Sequence, residues 1–462
     1  MSVEITSPRY NQLRSKWKKC RDAYAGQDAV HAAGETYLPR LDGQTDAQYS
    51  AYKANARFLN LMKRTVEALT GIATRVDPTV TDPAGILELV TGSGEGIEDY
   101  AQALMREMLI TGMAGTLVDY PAAPEGISVA DAERLNLAPV MVPYTAENIR
   151  NWKYTSINNV QALSLVVLRE AADTSTDEFE HEYDDRYRVL DLADGYYRQR
   201  IYEGGAVIAE IFPMSNGKRL EFIPFILHGA GMEPPLLDLV DTNLAHYRLM
   251  ADYMHGLRYV ALPTPYIIGA SAEDAPNTIG PQKVWILESP ESKVGMLEFT
   301  GAGLGAINAE IRAMEDNMAK LGARMLGNEP SVPATATAAA IDNANQNAGL
   351  IMMIGMLNYE LNQAISYMAE WSGRSTGDET FIEMTTDMLP TKLAGNELLA
   401  LVKSWADGAI SRETLFSNLQ RGEIISAERT FDEEMDAIEA YSMPEPAPDS
   451  TFSQAGQVDL NG

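Results

Sequence analysis

The chain has 462 residues, 45% of them hydrophobic, with 65 acidic against 36 basic side chains and a formal charge of −29. That apolar fraction excludes a disordered chain, and that charge excludes the overall basic footprint with which nucleic-acid-binding proteins usually hold phosphate. The one cysteine, Cys20, excludes an internal disulfide and predicts a reducing compartment.

No apolar run reaches the ~18 residues of a membrane span, the longest being Gly349 to Leu357, and the N-terminus has no apolar signal stretch. The expectation is a soluble cytoplasmic protein without membrane contact, built of roughly two to four packed regions.

Residues 1 to about 75 read as helical, with a basic cluster of Arg14, Lys16, Lys18, Lys19 and Arg21 around Trp17. That cluster is either a solvated helix face or a contact with a phosphate backbone or an acidic neighbouring subunit. Tyr37-Leu38-Pro39-Arg40-Leu41 breaks the pattern, and Phe58 to Ile72 begins a second helix that ends before Asp77-Pro78. After the flexible turn at 92–96 come a helix from Ile97 to Ile110 and a strand from Gly115 to Tyr120. Val160 to Phe212 is the most β-like stretch. Its segments Arg186–Leu192, Tyr196–Tyr202 and Ala206–Phe212 are divided by Asp194-Gly195 and Gly204-Gly205, which predicts an antiparallel meander.

Two matched apolar stripes follow. One runs Leu236, Val240, Leu244, Tyr247, Met250, Met254, Leu257, Ala261, and the other Ile307, Ile311, Met314, Met318, Leu321, Met325. Steps of three and four predict helices, each roughly 30–40 Å long. Between them 264–299 is short and rich in Pro and Gly, so the pair forms a hairpin with a small β tip projecting from a body. Charges alternate on both polar faces, with Asp316 and Lys320 at the favourable i, i+4 spacing. They are either a solvated surface or pairs between subunits of a ring. Gly327 to Pro333 is a loop, Ala334 to Trp371 one helix of about 55 Å, and Leu393 to Tyr441 is again helical, with Ser411 as a cap and Thr430 with Glu433 as a capping box. Residues 442–462 have the composition of a disordered tail.

Catalytic chemistry is not encoded in any recognisable spacing. The five histidines lack metal-ligand spacing, and no Walker loop or nucleophile elbow appears. Gly301-Ala302-Gly303-Leu304-Gly305-Ala306 fits the dinucleotide-binding glycine pattern. The next segment is a loop and another helix where a second parallel strand is required, so the glycines are expected to make a tight strand-to-helix turn. The expectation is a protein that is not an enzyme and carries no cofactor and no metal.

The order of elements resembles the portal proteins of tailed bacteriophages, and more closely a poorly characterised portal-like phage family. Local likeness lies in Tyr37-Leu38-Pro39-Arg40, in 65–71 (Thr-Val-Glu-Ala-Leu-Thr-Gly), in 144–152 (Tyr-Thr-Ala-Glu-Asn-Ile-Arg-Asn-Trp), and in Leu244-Ala245-His246-Tyr247-Arg248 followed by 261–265 (Ala-Leu-Pro-Thr-Pro). Leu297-Glu298-Phe299 with the glycine turn completes it, so the likeness spans about residues 35–440.

The resemblance implies an α+β, mainly helical portal fold. Its parts would be an N-terminal α/β wing (1–235), stem helix 1 (236–263), a clip (264–300), stem helix 2 (301–326) and a tunnel loop (327–333). A long wing helix with its following segment (334–392), a helical crown (393–441) and a disordered tail (442–462) complete it. It implies a homo-oligomeric ring, a dodecamer, at one capsid vertex of the virion, assembled in the host cytoplasm. Double-stranded DNA would pass through its channel during packaging and ejection. Partners would be the terminase large subunit, a tail adaptor or head-completion protein, and the major capsid and scaffold proteins. Arg324, Asn328 and Glu329 would lie at the channel's tunnel loop, and Lys283 and Lys293 on the docking surface of the clip. The competing expectations are another phage structural protein, such as an adaptor or minor capsid component, and a nucleotide-binding oxidoreductase built on the Gly301 turn.

Overall fold

The computed structural model describes residues 2–120, 138–157, 159–215, 217–261, 264–269, 291–297, 301–323, 336–372, 380–386, 395–421, 424–426 and 429–440. The chain divides into two compact units, Met1–Met388 and Leu389–Gly462. Helices mix with antiparallel sheets, an α+β architecture in which every described strand pair is antiparallel.

The first unit begins with a helical layer of α1 (Pro8–Ala25), α2 (Gln27–Ala32), α3 (Asp46–Asn55), α4 (Leu61–Ala73) and α5 (Ile97–Thr111). Proline opens α1, and the Ser7 hydroxyl accepts from the Tyr10 amide, so one free donor of the first turn is satisfied. Tyr10, Leu13, Trp17, Cys20 and Ala23 form its buried stripe. Gly26, at φ +100°, ends α1, a conformation an L side chain rarely adopts, so the single long helix expected here is two. A Thr45–Gln48 capping box starts α3, and the Asn60 side chain caps α4.

The strands are β1 (Thr79–Thr81), β2 (Ala114–Asp119), β3 (Val140–Thr145), β4 (Ile149–Ile157), β5 (Val160–Asp173), β6 (Tyr183–Ala193), β7 (Tyr196–Glu203) and β8 (Ala206–Ile211). They continue with β9 (Met214–Ser215), β10 (Lys218–Arg219), β11 (Phe225–His228), β12 (Thr264–Ile268), β13 (Lys293–Leu297) and β14 (Phe381–Glu383). The meander is a five-stranded sheet in the order β4-β5-β6-β7-β8. Asp194 and Gly195, and Gly204 and Gly205, all have positive φ, which matches the right-handed twist of the strands they join. In a second sheet, β11-β2-β3, the strands β2 and β11 are almost wholly buried.

Three long helices complete the unit: α6 (Leu237–Ala261), α7 (Ala302–Ala323) and α8 (Ala336–Ser372), the last unbroken through Gly349 and Gly355. One face of its half from Leu350 to Trp371 is buried against α5, β2 and β11. On that helix Asn358 and Asn362 act as a substitute strand edge. The Asn358 amide donates to the Met384 carbonyl and its oxygen accepts from the Met384 amide, each at 2.9 Å. Asn362 does the same to Ile382, at 2.8 and 3.0 Å. With β1 on its other side, the three-residue β14 satisfies both edges.

Buried polar joints tie the layers together. His228, fully buried, meets Glu360 of α8 through Nδ1 at 2.8 Å and the Thr116 hydroxyl through Nε2 at 2.7 Å. Thr116 in turn meets the Tyr100 hydroxyl at 2.7 Å. Arg21 of α1 bonds Glu107 of α5 and, at 2.8 Å, Glu147 between β3 and β4. The basic cluster of α1 is thus spent inside the chain, since Lys16 pairs with Glu233, Lys18 with Asp22 and Lys19 with Asp241. Arg14 alone of the five remains an exposed cation without an ion pair among the described residues. A phosphate or an acidic neighbouring subunit, the alternatives to a solvated face, would have to compete with these pairs.

The second unit holds α9 (Gly395–Ala406), α10 (Arg412–Arg421) and α11 (Phe431–Ala440). Ser411 caps α10 at 3.1 Å from the Thr414 amide, and Thr430 with Glu433 forms the expected capping box at 2.9 and 3.3 Å. Phe416 and Phe431 pack edge to face, 5.5 Å between ring centres.

Burial pushes the Glu147 carboxyl up, but the hydrogen bonds and charge of Arg21 outweigh it and hold the group below its ordinary value. Glu170 behaves the same way beside Arg188. A carboxylate depressed in the folded state adds stability above its unfolded value of 4.5, and that stability is lost as pH falls through the folded value. Acid unfolding below about pH 4.5 should therefore steepen in the wild type and flatten in Arg21→Ala. At neutral pH that substitution strands two partly buried carboxylates and should cost about 2 kcal/mol or more in urea unfolding. In Asn358→Ala and Asn362→Ala, the Ile382 and Met384 amides lose their acceptors, and hydrogen exchange should speed up by roughly tenfold.

Candidate assembly stalk

The described elements of 236–323 form an antiparallel helical hairpin, α6 and α7, with a two-stranded ribbon, β12–β13, between them in sequence. Its two helices are not equivalent. The first half of α6 lies inside the helical layer, where Leu239, Val240, Leu244, Tyr247 and Ala251 are buried against α1, α3 and α4. Tyr247 is ringed by Phe58 and His31 at 6.0 and 5.9 Å between ring centres. Polar ties reinforce the seat: Lys19 to Asp241 at 2.6 Å, Tyr52 to Asp252 at 2.6 Å, and Arg248 Nε to the Tyr37 carbonyl at 2.8 Å. The rod expected to project whole is therefore half embedded, and its charged residues Asp241, Arg248 and Asp252 have partners within the chain.

From Tyr253 on, α6 is half-exposed and lies against α7, with His255 also meeting the Tyr52 ring of α3 edge to face at 5.4 Å. Gly256 lets the helices approach, because a Cβ there would lie 2.7 Å from the Leu304 side chain. His246 Nε2 and Glu315 join them further down at 3.3 Å. Among the described side chains of α7, Ile311 and Met318 alone are buried, seven residues apart on one seam. The rest, including Glu310, Arg312, Asp316 and Lys320, is open or half-open. A 22-residue helix with so narrow a buried seam is anchored along one line and leaves its other faces without a partner.

The ribbon pairs Thr264 with Leu297 through Ile268 with Lys293. Tyr266 lies across Gly295, where a Cβ would come within 2.5 Å of its ring, so the ring rests over the glycine and would have to shift for a larger residue. Tyr266, Ile268, Val294, Met296 and Leu297 are all about half-exposed or more, and both faces of the ribbon carry them. A lone two-stranded ribbon is marginal in water, and one apolar on both faces exposes a sticky surface. The sequence leads to a β tip here, but to its lysines, not these apolar residues, as the docking surface. The signal available was the alternation of Val294, Met296 and the strand-forming run 266–268.

Lys293 sits at the end of β13, exposed and opposite Ile268. Lys283, Arg324, Asn328 and Glu329 lie outside the described residues. The glycine turn is as expected from its residues: Gly301 has φ +64° and its carbonyl accepts from the Leu304 amide at 2.9 Å, starting α7. β13 pairs antiparallel with β12, and no parallel pair exists among the described strands, so the dinucleotide-binding unit is not formed there. Among the described residues no cluster of metal-ligating side chains occurs, and no helix is long and apolar enough to cross a membrane.

In the buried half of α6, both amide atoms of Asn243, Nδ1 of His246 and the Tyr247 hydroxyl have no hydrogen-bond partner among the described residues. Asn243 is fully buried. Replacing it with leucine, similar in volume, removes an unpaired amide and should stabilise the isolated chain by about 1–3 kcal/mol, read as a higher urea midpoint at unchanged slope. A lower midpoint would show that the amide is satisfied in solution.

Comparison with known proteins places the hairpin first. A family profile described as a domain of unknown function (DUF4055) matches residues 235–372, which run from the base of α6 to the end of α8. No curated protein matches the chain. Among solved structures, the chain is similar to a component of the "Virion of native gene transfer agent (GTA) particle", with 13% identity, a TM-score of 0.38, and coverage of 85% of this chain and 98% of that one. It is likewise similar to a chain of the "Neck of empty GTA particle computed with C6 symmetry", at 12% identity, TM-score 0.38, covering 84% and 95%. A chain of the "Neck of native GTA particle computed with C12 symmetry" is similar at 13% identity and TM-score 0.34, covering 85% and 97%.

Proposed function

We propose that the chain is a phage portal protein, a non-catalytic subunit of a ring at one capsid vertex, through which DNA is packaged and ejected. The observation that carries this reading is the α6–α7 hairpin, seated at its base inside a helical layer and left open along α7 and at an apolar strand tip. An anchored, half-open stalk is what a subunit needs when its remaining faces are to be covered by identical neighbours. The tip, apolar on both sides, suits docking by the packaging motor and later by a tail adaptor.

The charge supports the same reading. Each phosphate held by a fixed cation adds a barrier to sliding, and a chain of charge −29 offers a moving duplex no net attraction. Arg21, Lys16, Lys18 and Lys19 are all neutralised by the chain's own carboxylates.

Negative-stain images of the purified protein should show rings with an axial hole and a stalk profile. Met318→Pro interrupts α7 at its buried seam, costs about 3 kcal/mol or more, and should abolish those rings. Tyr266→Glu with Met296→Glu should leave rings intact and prevent terminase docking, measured by co-sedimentation. Rings from Met318→Pro, or undiminished docking by the tip variant, would contradict the roles given to stalk and tip.

A further inference from the structure

The five-stranded meander leaves both of its edges open. At one edge β8 pairs with β7, and among the described residues no backbone hydrogen bond reaches its other side. Every residue of β8 except half-buried Ala209 is exposed, and Val207, Ile208 and Ile211 each show about half of their surface. Edge strands are usually blunted by lysine, proline or a bulge. β8 has no lysine and no proline, and its single charge, Glu210, is paired with Arg198 of β7 at 2.9 Å. One bulge, where the pairing skips Ile208, is its only irregularity. A row of free amides and carbonyls flanked by apolar side chains fits one kind of partner, another extended strand.

At the opposite edge β4 pairs with β5 alone. The start of its outer side is taken by the N-terminal segment: the Ser7 amide donates to the Arg150 carbonyl at 3.0 Å, and the Asn151 side chain to the Ile5 carbonyl at 3.1 Å. Past that point Lys153, Tyr154, Thr155 and Ser156 are exposed, and among the described residues their backbone is bonded only to β5. Lys153 has no ion pair among the described residues.

The strand count decides which partner fits. Neighbouring strands are antiparallel throughout this sheet, so with five strands its two edges run in the same direction. A second copy shifted across the strands brings its β4 beside β8 with both sheets facing the same way. Joining β8 to β8, or β4 to β4, needs a two-fold axis instead. Those like joins would also bring Glu210 towards Glu210, or Lys153 towards Lys153, whereas the unlike join brings opposite charges together. We infer that the sheet continues from β8 of one copy to residues 153–156 of β4 in the next, as a parallel pair. The contact uses two different surfaces of one chain, the head-to-tail kind that forms a ring when the rotation closes. This inference rests on the ring proposed above and names one contact between its neighbours.

The full chain is tested in sedimentation velocity. Val207→Lys with Ile211→Lys on β8, and Thr155→Lys with Ser156→Lys on β4, should each lower the assembled fraction at least about tenfold. All four positions are exposed, so circular dichroism should report an unchanged fold. Cross-linking reads the direction of the join. The one native cysteine, Cys20, is buried, so introduced cysteines report alone. Thr155→Cys combined in turn with Val207→Cys, Ile208→Cys or Ile211→Cys should give, in one combination, a ladder of covalent oligomers on oxidation, and each of the four alone should give none. Wild-type rings with undiminished assembly in either lysine variant would overturn the pairing and leave the ring proposal standing. So would covalent dimers from a β8 cysteine alone, which would show β8 meeting β8, or no ladder from any combination. A wild type that stays monomeric would overturn the ring and this contact with it.

Discussion

The burial of the first half of α6 in the helical layer is the constraint on which the stalk depends. Val240, Leu244, Tyr247 and Ala251 leave water against α1, α3 and α4, and each large side chain so buried is worth about 1.5–3 kcal/mol. The salt bridge to Lys19 and the hydrogen bonds from Tyr52 and to the Tyr37 carbonyl fix the helix's rotation, which hydrophobic contact alone would not. Because that half is held, the other half extends with α7 on one side, and α7 inherits its position from a single seam through Ile311 and Met318.

The same core also takes in the long helix α8. α8 lies on α5, β2 and β11, and His228 couples Glu360 on that helix to Thr116 and Tyr100. Base of stalk, buried sheet and long helix therefore share one core. A load on the stalk is carried into packed side chains and buried hydrogen bonds, the stiff parts of a protein.

What could be read from the sequence was what local chemistry dictates. Asp194-Gly195 and Gly204-Gly205 can hardly be anything but hairpin turns, and stripes such as Leu236–Ala261 give α6 within a residue of its true start. Gly301 gave its turn for the same reason. What was hidden was pairing at long range. Lys16 and Lys19 meet acids 217 and 222 residues away, so a basic cluster that looked available for phosphate is already neutralised. β3 and β4 were unread because Pro143 and the mixed run 149–157 lack clean alternation, and their pairing comes from neighbours. Asn358 and Asn362 look like ordinary polar helix positions until β14 lies beside them. For the stalk, its helices were legible and the embedded half was not, since an apolar stripe does not say how much of it is covered. The apolar tip was overlooked because its residues are few and flank a stretch rich in Pro and Gly.

Assembly into a ring is the central claim, and native mass spectrometry of the purified full chain tests it most directly. A closed oligomer near twelve subunits, unchanged over a wide dilution range, is the expected result. A strict monomer or dimer at every concentration would contradict it, because the open faces of α7 and the exposed tip would then have no identical partner to cover them.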